Sequence, residues 1–171
     1  VMHGPAYTGN LKIGEKLIEL GCTHLDGDMT DYCPFFTPMH IATQEGHANI
    51  VELLLRSGSR AQYYRREHIS TPLVIAIEKG HIDVVKVLVT VGHAPLNTPD
   101  SYGTYILEHA INSSKEMIEM LIQLGCDPNI VDLIENTDKD KFRAKFSKYT
   151  LKSLTCNLIF SAPSKEVIIA V

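Results

Sequence analysis

The chain has 171 residues and a net charge of −4, with 16 basic against 20 acidic side chains, a length that suits one compact domain. The acidic balance disfavours nucleic-acid binding, no stretch is long and apolar enough to span a membrane, and no signal peptide is visible. The charge is unevenly spread: residues 139–152 hold six basic residues against Asp140, a local +5 that leaves −9 on the rest.

Taken in chain order, one apolar pattern recurs. It is weak in VMHGPAYTGNLKIGEKLIELG (1–21) and clear in TPMHIATQEGHANIVELLLRSG (37–58) and TPLVIAIEKGHIDVVKVLVTVG (71–92). It returns in TYILEHAINSSKEMIEMLIQLG (104–125) and in part in LTCNLIFSAPSKEVIIAV (154–171). The closing glycines Gly58, Gly92 and Gly125 stand 34 and 33 residues apart, a period that marks a stack of repeats rather than one globular core. Each unit reads as a short helix, a tight turn, a longer helix and a loop. Thr37 and Thr71 are placed to cap the short helix, with Pro38 and Pro72 at the first helical position, where a missing N–H costs nothing. Gly46 and Gly80 are expected to end that helix in a conformation a Cβ would penalise, and Gly58, Gly92 and Gly125 to end the longer one in the same way. The longer helices carry Ile50, Val51, Leu53, Leu54 and Leu55, then Ile82, Val84, Val85, Val87 and Leu88. Their apolar arc is too wide for a lone helix, so each unit must bury itself against its neighbours.

Thr37-Pro38-Met39-His40-Ile41-Ala42 with Gly46-His47, and Thr71-Pro72-Leu73 with Gly80-His81, resemble the ankyrin-repeat signature. The resemblance fails across 130–153. A tetratricopeptide array fits less well, because its aromatic signature is absent. The resemblance implies an all-α solenoid of four to five helix-turn-helix units in a single domain over 1–171. Its repeats fall near 1–36, 37–70, 71–103 and 104–129, with an insertion over 130–153 and a partial repeat over 154–171. It also implies that His3 and His40 bond backbone or threonine across adjacent repeats, and that His47 and His81 are structural.

Departures from the pattern are informative. Pro5 stands where the family has alanine; its i−4 residue is Val1, so the usual cost of a mid-helix proline falls away if the chain begins there. Gly14 stands where a β-branched residue would pack. In the fourth unit Tyr105 replaces proline, His109 takes an inner alanine position and Ser113-Ser114 replace Gly-His, which predicts a looser unit. Val1 is not a natural start and Val171 falls inside an expected long helix, so the sequence reads as a fragment of a longer chain.

Carried over by position, the family's binding surfaces include the loop residues Tyr64, Arg66, Glu67 and His68, and the inner-face residues Gln44, Glu45, Glu78 and Lys79. Tyrosine and arginine are common interface anchors. Phe36 is an exposed anchor or a residue packed beneath its loop. In the insertion, Phe142, Phe146 and Tyr149 would share one helical face, docked on the stack, while Arg143, Lys145 and Lys148 crowd the others as solvated charges or a basic docking element. The four cysteines have no CxxC spacing, and their scatter favours free thiols in a reducing compartment; Cys22 and Cys126 read as buried. His24, His68, His93 and His109 show no metal-ligand spacing, and Asp26–Asp31 lacks the ligands of a calcium loop. No nucleophile and base are paired by their context.

These features predict a non-catalytic, monomeric protein-interaction module without cofactor, metal, nucleic acid or membrane, located intracellularly in the cytoplasm. Two alternatives are a ubiquitin-ligase substrate receptor and a regulatory segment of a larger enzyme or channel. For the first, residues 150–159 faintly resemble a SOCS box, but Thr155 stands where that box has cysteine.

Overall fold

The computed structural model describes residues 1–22, 25, 37–61, 70–100, 103–111 and 113–133. All regular structure among them is helical: α1 His3–Thr8, α2 Leu11–Glu19, α3 Pro38–Gln44, α4 Ala48–Arg56, α5 Pro72–Lys79, α6 Ile82–Thr90, α7 Ile106–Ala110 and α8 Lys115–Gln123. These eight helices belong to one compact unit, 1–127; a 3₁₀ helix, Pro128–Leu133, opens a second unit, 128–171. The insertion beyond 133 and the closing partial repeat lie outside the described residues.

Local chemistry sets the helix ends. The Thr37 and Thr71 hydroxyls accept from the backbone N–H of His40 (3.4 Å) and Val74 (3.3 Å), with Pro38 and Pro72 opening the helices behind them. Gly46 and Gly80 take φ of +79° and +77° at the close of α3 and α5, the left-handed region that glycine enters without penalty. Gly58 and Gly125 close α4 and α8 likewise, at +96° and +101°, but Gly92 does not. The left-handed residue after α6 is His93, at φ +51°. Gly92 is required for closeness instead: a Cβ there would sit 2.7 Å from the Leu88 carbonyl oxygen and 2.8 Å from the Ala61 Cβ.

The helices form two layers. In the inner layer α3 packs between α1 and α5, and α5 between α3 and α7; in the outer layer α4 packs between α2 and α6. One triplet repeats through the outer layer: Ile50, Val51 and Leu54 are buried in α4, Val84, Val85 and Leu88 in α6, and Met117, Ile118 and Leu121 in α8. Each such side chain contributes about 1.5–3 kcal/mol on leaving water, and the packing of α4 on α2 and α6 carries that burial across repeat boundaries, the reason a stack is more stable than its single units.

In α2 Gly14 occupies a buried place, and Leu53 has moved into the room left by the missing side chain, its Cδ2 2.9 Å from where a Cβ would stand. Pro5 is the third residue of α1, whose first backbone bond is Ala6 N–H to the Met2 carbonyl, so the proline lacks an N–H that had no helical partner. That is why α1 tolerates it. The fourth repeat departs furthest. Helix α7 has five residues where α3 has seven and α5 eight; it starts behind Tyr105, which stands in the place of Pro38 and Pro72, and Ser113 does not take the left-handed turn of Gly46 and Gly80. Helix α8 packs less closely on α6 than α6 does on α4.

Candidate protein-binding face

A ladder of side-chain bonds runs backwards along the inner layer and fixes its exposed edge. His47, at the turn before α4, bonds the Tyr7 carbonyl oxygen through Nε2 at 3.1 Å, and its ring covers Gly9. One repeat later His81 bonds the Gln44 carbonyl at 3.0 Å, and its ring covers Gly46. A Cβ on Gly9 or Gly46 would come within 2.7 or 2.9 Å of those rings. Each turn thereby holds the orphan carbonyls at the end of the preceding short helix.

At the third junction the rung changes. Ser113 bonds the Ile77 carbonyl at 3.2 Å, and Ser114 stands where the imidazole would be, its hydroxyl capping α8 at Met117 N–H. Nothing lies within 4 Å of a Cβ built on Gly80. The Glu78 carbonyl, which corresponds in position to those of Tyr7 and Gln44, receives no side-chain donor among the described residues. A cleft of about 590 Å³ opens here, lined by Glu78, Lys79, Gly80, Glu108, His109 and Ser114, with Ile77 and Ser113 at its base. His109 lies between two carboxylates, Nδ1 3.6 Å from Glu78 and Nε2 3.4 Å from Asp100. Both ring nitrogens face carboxylates, so neither is turned to a serine as a hydrolytic site would need. Nothing in the sequence pattern signalled this grouping except its two irregularities, His109 and Ser113-Ser114.

The inner-face residues Gln44 and Glu45 are exposed at the end of α3, with Glu78 and Lys79 exposed in the matching places of α5. Phe36, Tyr64, Arg66, Glu67, His68, Arg143, Lys145 and Lys148 lie outside the described residues. Behind the face, His40 is 1% exposed, with Nδ1 2.7 Å from the Thr37 hydroxyl. Burial pushes its pKa down from 6.5 to about 4, against the opposing effect of a backbone hydrogen bond at Ser70, the last residue of the same repeat. His40 is thus tied to the first and last residues of its own repeat. His3 opens α1 as its first residue rather than taking the third position that His40 has in α3.

On the loop side, Asn97 brackets the fourth repeat: its amide nitrogen donates to the Gly125 carbonyl at 3.0 Å, and its oxygen accepts from Asp127 N–H at 2.8 Å. The Cys126 thiol beside it is buried, which together with the Asp127 charge pushes its pKa up to about 12; Cys22 is only half-buried. Among the described residues no group of three or more His, Cys, Asp or Glu side chains could hold a metal ion, and no helix is long and apolar enough to cross a membrane.

Stacked helix pairs latched by a backward histidine ladder define a helical repeat domain. The pattern of ankyrin repeats in three copies matches residues 62–132, and that of a single ankyrin repeat matches 36–62. The chain belongs to the ankyrin-repeat family. Repeats of this family generally mediate protein–protein interaction and are typically non-catalytic. No curated protein matches the sequence. The first unit lies outside the matched span, yet its α1–α2 pair and the His47 rung are built as in the others.

Proposed function

We propose that the chain is a non-catalytic interaction module that binds a protein partner through the inner-face residues Gln44, Glu45, Glu78 and Lys79 and the loop residues Phe36, Tyr64, Arg66, Glu67 and His68. We further propose that it acts as a monomer in a reducing compartment, and that Arg143, Lys145 and Lys148 supply a second, basic contact. The observation that carries the reading is the ladder of His47 and His81, which fixes successive helix ends in one row while their polar side chains stay exposed. A preordered row loses little conformational entropy when a partner docks.

The test is affinity capture from lysate with four baits: the intact chain, Glu45→Lys with Glu78→Lys, Tyr64→Ala with Arg66→Ala, and a bait with Arg143, Lys145 and Lys148 changed to glutamate. A partner lost with the second or third bait at unchanged melting temperature is the expected result. A partner lost with the fourth bait alone moves the interface to the insertion, and a partner kept by all four removes the proposal.

A further inference from the structure

The cleft over Gly80 is the one junction between described repeats from which the stack's own side chain has been withdrawn. At the two preceding junctions an imidazole fills the equivalent space and donates to a helix-terminal carbonyl. Here the ring is replaced by Ser114, nothing among the described residues lies within 4 Å of a Cβ built on Gly80, and the Glu78 carbonyl has no side-chain donor among them. Two carboxylates, those of Glu78 and Glu108, stand around the vacancy. The Glu78 carboxylate is half-exposed, and Glu108 uses one carboxylate oxygen to hold Tyr105 N–H at 2.8 Å, leaving the other for a ligand. Lys79 is the one permanent cation among the lining side chains, set against two carboxylates and an open carbonyl. Asp100 adds a third negative charge behind His109, and the whole chain outside 139–152 is acidic.

Resting on the reading that this face binds a protein, we propose that the cleft receives an arginine side chain of the partner. A guanidinium is flat enough to lie on Gly80 where the imidazole lies on Gly9 and Gly46. It also carries the several in-plane donors needed to meet the Glu78 carbonyl and the carboxylates together. An ammonium group offers the charge without the plane, and a neutral urea offers the plane without the charge. The cleft is larger than one imidazole, so it takes the longer side chain without displacing α7.

The test uses the full chain, labelled for amide NMR, and three acetylated and amidated Gly-X-Gly probes in which X is arginine, lysine or citrulline. The arginine probe should shift the amides of Gly80 and of Glu108–Ser114 and saturate in the millimolar range. Citrulline should bind at least about tenfold more weakly, and lysine in between. Ser113→Gly with Ser114→His restores the missing rung; it should abolish those shifts, raise the melting temperature and leave the spectra of the first two repeats unchanged. Glu78→Gln, an exposed conservative change, should weaken the arginine probe without affecting folding.

Equal binding of arginine and citrulline, shifts centred elsewhere, or undiminished binding by the restored-rung variant would each overturn the proposal. A captured partner that is retained by the restored-rung variant but lost with Glu45→Lys would also sink the arginine cleft, while leaving the broader inner-face reading standing.

Discussion

Acidification should loosen the stack at His40. The imidazole is held neutral in the interior, 1% exposed, with a pKa near 4 against 6.5 in the unfolded chain. Between those values the unfolded state binds more protons than the folded one, so stability rises with pH across this window. The contribution is complete above about pH 6.5 and is lost as the pH falls towards 4. The 6.5-to-4 interval amounts to a loss of about 2 kcal/mol at pH 5 and about 3 kcal/mol at pH 4, a large part of the stability of an ordinary domain. Urea unfolding followed by far-ultraviolet circular dichroism at pH 7, 5 and 4 measures it. His40→Gln keeps an acceptor for the Thr37 hydroxyl but cannot titrate. It should be less stable than the parent at pH 7, and its stability should fall by about 2 kcal/mol less between pH 7 and 5. Equal pH dependence in parent and variant would refute the argument, since the two chains differ only at residue 40.

Other changes should separate the roles of packing, backbone and buried polarity. Leu54→Ala and Leu88→Ala each remove a fully buried side chain shared between repeats and should cost about 2–5 kcal/mol in urea unfolding; a loss below about 0.5 kcal/mol at both would contradict the layer assignment. Gly92→Ala should destabilise by roughly 1–3 kcal/mol through contact with Ala61 and the Leu88 carbonyl. By contrast, His93→Gly should stabilise by up to about 1 kcal/mol by removing the Cβ from a left-handed residue; the opposite pair of signs would restore Gly92 as the turn residue. The Thr43 hydroxyl is buried and has no hydrogen-bond partner among the described residues, so Thr43→Val should raise stability by about 1 kcal/mol, and a loss would reveal a partner.

The fold was legible because its determinants are local and periodic. Thr-Pro openings, turn glycines and apolar triplets 33 or 34 residues apart each report on a few neighbouring atoms, and repetition removes the ambiguity of any one copy. Gly92 was misread because two physical demands select the same residue: a positive φ and a close approach look alike in sequence. Gly14 read as a defect because the pattern cannot tell that Leu53, one repeat away, takes up the space. The inner-face side chains could be placed from the pattern, since Gln44, Glu45, Glu78 and Lys79 are exposed where expected. The cleft at Gly80 could not, because it is defined by a missing ring, and an absence has meaning only beside the two junctions where the ring is present.

The backward ladder also gives the stack an order in time. His47 reaches a carbonyl 40 residues earlier in the chain, and His81 one that is 37 residues earlier. On a ribosome, which releases the chain from its N-terminus, the end of each short helix is therefore left waiting for its latch until about one further repeat has emerged. The first unit becomes fully secured by the second and the second by the third, so cooperativity passes down the polypeptide in the direction of synthesis. Where a serine takes the place of the imidazole, at Ser113, the latch is a different one, and pulling on the chain from its C-terminal side should open that junction before the two His-latched junctions that precede it.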